Sequence, residues 1–168
     1  HYAMKANPTP ALVCHMAGLV DGLDAASAGA LRLALDAGMA PEHISFAGPG
    51  KSEAELRQAV AAGILVNLES FREVALLARA SERMGVPARV AVRVNLPFEL
   101  KASGMKMSGG PKQFGVDAEQ VPALLQRIAD AGLAFEGFHC FAGSQNLRAD
   151  AIVEAQQRSY DLVREWQD

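Results

Sequence analysis

The chain has 168 residues, half of them hydrophobic, and a formal net charge of −3. That is enough apolar material for one core. It leaves no basic footprint for nucleic acid, and no apolar run is long enough to span a membrane.

The first predicted element is a strand over Tyr2–Lys5, broken at once by Asn7-Pro8. Proline has no amide to donate and pushes the residue before it out of the helical region, so a turn is forced there. Alternation groups His1, Ala3 and Lys5 on one face and Tyr2 and Met4 on the other. A lysine at the carboxyl end of an inward-facing strand sits where barrel enzymes keep their chemistry. Apolar walls around it would favour its neutral amine, which can attack an aldehyde. A lone lysine there would be an ordinary solvated residue, so the rest of the chain decides.

Further strands are expected at Gly22–Ala25, His43–Ala47, Ile64–Leu68, Arg89–Val94 and Phe135–Phe141. Helical patterns lie between them. Ser52 with Glu55, Ser70 with Glu73, and Asp117 with Gln120 have capping-box spacing ahead of apolar periodic runs. Gly38, Gly63, Gly85 and Gly132 sit where helices end in a left-handed residue. The last helix, from Ala149 to Trp166, carries Ile152, Ala155, Ser159, Val163 and Trp166 along one side. Strands spaced by helices argue for parallel βαβ units. A complete barrel needs eight such units and this chain supplies about six, so the reading is a partial TIM barrel in one domain. The sequence opens within a strand on His1, shows no leader pattern, and reads as a piece of a longer chain.

Four places carry candidate chemistry. Gly48-Pro49-Gly50-Lys51-Ser52 follows a strand and opens a helix, but the glycine spacing of a phosphate loop is missing, because the position five before Gly50 is Ser45. It reads as a tight turn with Ser52 as the helix cap. The stretch from Asn95 to Val116 is longer than ordinary connections and is expected to be an active-site loop. Phe138-His139-Cys140-Phe141-Ala142-Gly143-Ser144-Gln145 is a buried strand ending in a small polar turn, with His139 and Phe141 on one face. Asp24, Ser27 and Arg93 close other strands. With Lys5 and Ser144 they would ring one mouth of the barrel. Cys14 and Cys140 make no metal-ligand pattern, and both read as reduced thiols of a cytosolic protein.

These stretches resemble a known family. Tyr2-Ala3-Met4-Lys5-Ala6-Asn7-Pro8 is similar to the lysine motif of the fold type III pyridoxal-phosphate decarboxylases, which act on diaminopimelate, ornithine and arginine and share the alanine racemase-like barrel. Leu23-Asp24-Ala25-Ala26-Ser27, Phe46-Ala47-Gly48-Pro49-Gly50-Lys51, Val92-Arg93-Val94-Asn95 and His139 to Gln145 resemble their later motifs, in order along the chain. Ser103 to Gly115, with Phe141 to Leu147, is most similar to the subgroup associated with exosortase and polysaccharide export.

The resemblance implies pyridoxal 5′-phosphate as cofactor, held by Lys5 as a Schiff base. Arg93 would lie near its phenolic oxygen and Ser144 at its phosphate. Asp24 and Ser27 would line the lysine side, and His139 and Phe141 the ring side. It implies an amino-acid substrate, free or carrier-tethered, a cytoplasmic homodimer, and a remaining barrel segment and β domain later in the chain. Two positions depart from the family pattern. Phe141 stands where a ring-stacking histidine is usual, and Ala30 where a glutamate is common. A racemase on the same barrel is the rival enzyme, although Asn7-Pro8-Thr9-Pro10 does not fit the racemase pattern. A cofactor-binding homologue without turnover is the second rival.

Overall fold

The computed structural model describes residues 1–98, 113–144 and 146–166. Most of the predicted loop between Asn95 and Val116, and with it most of the subgroup-like segment, therefore lies outside the described residues, as does Gln145.

The chain alternates strand and helix. Six helices, α1 Pro10–Ala17, α2 Ala28–Asp36, α3 Glu53–Ala62, α4 Phe71–Met84, α5 Val121–Asp130 and α6 Ala149–Arg164, follow strands β1 Tyr2–Ala3, β2 Leu23–Ala25, β3 Ile44–Phe46, β4 Leu65–Leu68, β5 Arg89–Asn95 and β7 Ala134–Cys140. One strand, β6 Val116–Asp117, is additional. All pairings are parallel, in the order β1-β2-β3-β4-β5, and β7 lies beside β5. Val94 of β5 pairs with Val116 on one side and Cys140 on the other, so β6 continues the lane that β4 leaves after Leu68. Six βα units of a barrel wall result, as the spacing predicts.

The apolar residues of alternate strand positions hold this wall. Leu23, Ile44, Phe46, Val66, Leu68, Val90 and Val92 are fully buried with Leu56 of α3, Leu77 of α4 and Leu124 of α5 in one core. By strand alternation the intervening residues look the other way, into the barrel.

Helix ends follow the sequence in part. Ser52 and Glu55 form the predicted capping box on α3, and Gly38, Gly63, Gly85 and Gly132 all have positive φ. Glu55 also accepts from the Ala28 amide of α2, and these bonds, chiefly to Ser52, hold its carboxyl below the usual range. The other two boxes do not form. Ser70 caps α4 without a side-chain bond because Glu73 is drawn into the core, where it accepts from the Glu69 amide. Asp117 bonds the Asn95 amide side chain instead, and Gln120 precedes α5 after a short 3₁₀ turn.

In β7 a bulge at Glu136 changes the alternation: Val90 pairs with Phe135, but Ala91 pairs with Gly137. Phe135 and Phe138 thereby share a face and touch edge-on, and Phe138 meets Trp166 at 5.2 Å. The extruded Glu136 carboxylate grips Arg89 at the opposite end of β5 from Asn95. The apolar stripe of α6 faces β7 across a cleft of about 930 Å³.

Candidate active site

β1 is shorter than predicted. It stops at Ala3, and Met4–Ala6 coil into a 3₁₀ turn. The cause is Met4, which plunges into the core with no exposed surface. Lys5 therefore does not share a strand face with His1 and Ala3. It stands exposed on a turn at the carboxyl end of β1. That turn is tied down locally. The Tyr2 hydroxyl donates to the Asn7 carbonyl at 2.9 Å, and the Asn7 side chain accepts from the amide and hydroxyl of Thr9. Asn7-Pro8 thus fixes the direction of the lysine turn, which is the part of the motif that alternation alone does not explain.

Around this mouth the inward positions are polar or small. Asp24 and Ser45 are neighbours in register, and the Ser45 hydroxyl donates to Asp24 Oδ1 at 2.6 Å. His1 Nδ1 lies 2.8 Å from the same oxygen. Arg93 is paired with His139 across β5 and β7, one inward step beyond Ala91 and Gly137. Its guanidinium reaches Glu69 at 3.3 Å and stacks over Phe114 at 4.9 Å.

His139 is the point where these charges converge. Burial is the main cause holding its imidazole below the usual histidine range, and the Arg93 charge is next; Asp24 and Glu69 pull the other way, and Lys5 adds a smaller push down. Lys5, Asp24, Glu69, Arg93 and His139 thus belong to one electrostatic cluster. His139 Nδ1 is buried and has no hydrogen-bond partner among the described residues. The neutral ring is favoured in the fold, so its share of stability is present above pH ~6.5 and is lost as pH falls through the depressed value. A histidine NMR titration of the full-length protein is expected to show His139 titrating below the ordinary histidine value of about 6.5; a midpoint at or above that value would contradict this burial.

Three other predicted residues have different settings. Ser27 caps α2, its hydroxyl accepting from the Ala30 amide. Phe141 lies one residue past the end of β7, so the alternation that paired it with His139 does not reach it. Phe141 and Ser144 line the cleft between β7 and α6.

The sequence reading passed over a buried ionic group at the same mouth. Glu69, directly after β4, accepts from the amides of Gly48 and Gly115 as well as from Arg93. Behind it, Lys51 Nζ lies 2.9 Å from Glu73, with both side chains at most 2% exposed, and also donates to the Gly48 carbonyl. Desolvation pushes the Glu73 carboxyl above the usual range, against the pull of Lys51. Lys51 is thus committed inside the fold, which excludes the phosphate-loop reading. The available signal was an acidic residue one position past a strand's carboxyl end.

The arrangement suits an anionic, aldehyde-bearing ligand. A primary amine and a guanidinium stand at one mouth, with a buried imidazole nitrogen that has no hydrogen-bond partner among the described residues. The family described as "Pyridoxal-dependent decarboxylase, pyridoxal binding domain" matches residues 1–168. The chain belongs to this family.

Its relatives bear this out. It is 38% identical over 145 residues to the L-glutamyl-[BtrI acyl-carrier protein] decarboxylase of Niallia circulans, covering 85% of this chain and 34% of that protein. It is 38% identical over 168 residues to the diaminopimelate decarboxylase of Aquifex aeolicus, covering 96% and 39%. The diaminopimelate decarboxylase of Helicobacter pylori, solved with L-lysine, superposes with a TM-score of 0.86 at 30% identity, over 98% of this chain and 42% of that one. The chain thus spans about two fifths of the length of these relatives. They support the partial barrel and pyridoxal phosphate as the cofactor, and they give no support to racemisation over decarboxylation. Among the described residues no helix is long and apolar enough to cross a membrane.

Proposed function

We propose that this chain is most of the cofactor-binding barrel of a pyridoxal-phosphate-dependent amino-acid decarboxylase. The observation that carries the reading is the convergence of Lys5, Arg93 and His139 at the carboxyl ends of β1, β5 and β7. When bound, the cofactor supplies the electron sink for the pair left as carbon dioxide departs. The protein's residues hold and orient it. Lys5 presents the amine that joins its aldehyde. Arg93 offers a fixed positive charge to its anionic oxygen, and Ser144 a hydroxyl to its phosphate. Asp24 and Ser27 line the lysine side. His139 and Phe141 face the ring, Phe141 by stacking alone, since a phenyl ring has no proton to give.

The remaining barrel strands and a β domain belong to the full-length protein, which we take to be a cytoplasmic homodimer without nucleic-acid partners. The free thiols of Cys14 and Cys140 support a reducing compartment. The substrate is an amino acid, and the carrier-tethered substrate named for one relative keeps a tethered amino acid in the set to be tried.

The test is a spectrum of the full-length protein with and without pyridoxal phosphate, followed by a carbon dioxide assay across diamino, acidic and carrier-tethered amino acids. We expect a stoichiometric visible band and gas release from at least one class. A protein that gains no band overturns the cofactor site. A band without release from any class selects the cofactor-binding homologue without turnover.

A further inference from the structure

We propose that Glu69 is a positioning residue of this site: its buried carboxylate fixes the Arg93 guanidinium and the two backbone turns beside it, and does not itself touch the ligand. The inference rests on Arg93 facing the cofactor.

Glu69 is the first residue after β4, and its side chain is 1% exposed. A carboxylate so placed is stable only when its oxygens are satisfied. Oε1 accepts from the Gly48 amide in the turn after β3 and from Arg93 on β5. Oε2 accepts from the Gly115 amide just before β6, at 3.1 Å. From the end of β4, one side chain thus ties the turn after β3, the strand β5 and the start of β6. The Gly115 contact is demanding: this residue has φ +78°, and a Cβ there would come within 2.9 Å of the Arg93 carbonyl and the Asn95 amide. The backbone passes close against β5 at the position of Arg93, and the Glu69 carboxylate holds both.

Among the described residues Arg93 has little else to orient it. Its other described contact is the face of Phe114, which resists displacement but sets no direction in the ring plane. The carboxylate supplies the direction. Without it, a long guanidinium regains rotamer freedom, which any ligand relying on its charge must then quench.

The test is a double-mutant cycle in the full-length protein, reading the dissociation constant of pyridoxal phosphate and the melting temperature. Arg93→Met and Glu69→Gln are each expected to weaken cofactor binding by about tenfold, the scale of a hydrogen bond to a charged group. In the Arg93→Met background, Glu69→Gln should cost less than about twofold more, because its effect acts through the missing guanidinium. Its cost in melting temperature should shrink in the Arg93→Met background, where the amide relieves a buried carboxylate that has lost its cation. Equal affinity losses in both backgrounds, or none in either, overturn the positioning role while leaving Arg93 in the site. An Arg93→Met variant that binds as tightly as wild type instead removes the reading of Arg93 on which the inference stands. If Glu69→Gln does not accumulate, Glu69→Asp, one methylene short of Arg93, is expected to give the same pattern.

Discussion

Replacing Lys5 by arginine in the full-length protein is expected to abolish the visible absorbance of the bound cofactor and to lower carbon dioxide release by about 10⁴-fold or more, some 5.5 kcal/mol of barrel-derived rate enhancement. Arginine keeps the charge and the reach, but its guanidinium does not give up a proton near neutral pH and offers no amine nucleophile. The structure makes the loss specific. Met4 anchors the turn from within the core, and Asn7 ties it to Tyr2 and Thr9, so the change at the exposed neighbouring position leaves the fold intact. No substitute amine stands among the described residues, because the other lysine there, Lys51, is paired with Glu73 and closed off from solvent. Equilibrium titration followed by absorbance and a carbon dioxide assay decide the matter. A Lys5→Arg protein that keeps the visible band would remove Lys5 from the role.

How much of this was legible in the sequence depended on the range of the interactions. The six main strands and their helices were readable because each rests on local pattern: alternation, a capping residue, a glycine that accepts positive φ at a helix end. The Ser52–Glu55 box formed because both partners lie in one turn and nothing else competes for Glu55 except a compatible amide on α2. The same spacing at Ser70–Glu73 failed because a buried cation, Lys51, sits within reach of Glu73 and outweighs a cap. That cation is 22 residues away in sequence, beyond any local window. β6 escaped notice for a related reason: two residues have no periodicity, and its pairing is set by Gly115 folding back onto β5. At the candidate site, Lys5, Asp24, Arg93 and His139 stand out in the sequence because each closes or nearly closes a strand, where a parallel barrel gathers its chemistry. Glu69 meets the same criterion and was missed because a single glutamate at a helix entrance reads equally as a favourable charge on the dipole. For Phe141 alternation gives no face, because β7 ends one residue before it.

The buried pair gives the second large effect. Lys51→Met is expected to destabilise the full-length protein by about 3–5 kcal/mol at neutral pH, since removing one partner of a buried pair leaves an uncompensated charge. The methionine fills the aliphatic path of the lysine but cannot donate to the Gly48 carbonyl or neutralise Glu73. The pH dependence follows from Glu73, whose carboxyl is already raised by burial while Lys51 is present. Without Lys51 it rises further. A carboxyl with a raised folded value contributes its stability below the unfolded value of about 4.3 and loses it as pH climbs through the folded value. The penalty of Lys51→Met should therefore shrink on acidification from neutral pH. Adding Glu73→Gln, which keeps an acceptor for the Glu69 amide and removes the charge, should recover most of the loss and flatten the pH dependence. Urea denaturation of the single and double variants at neutral and mildly acidic pH measures both effects. A double variant no more stable than Lys51→Met would show that the lost contact to Gly48, rather than the stranded carboxylate, sets the cost.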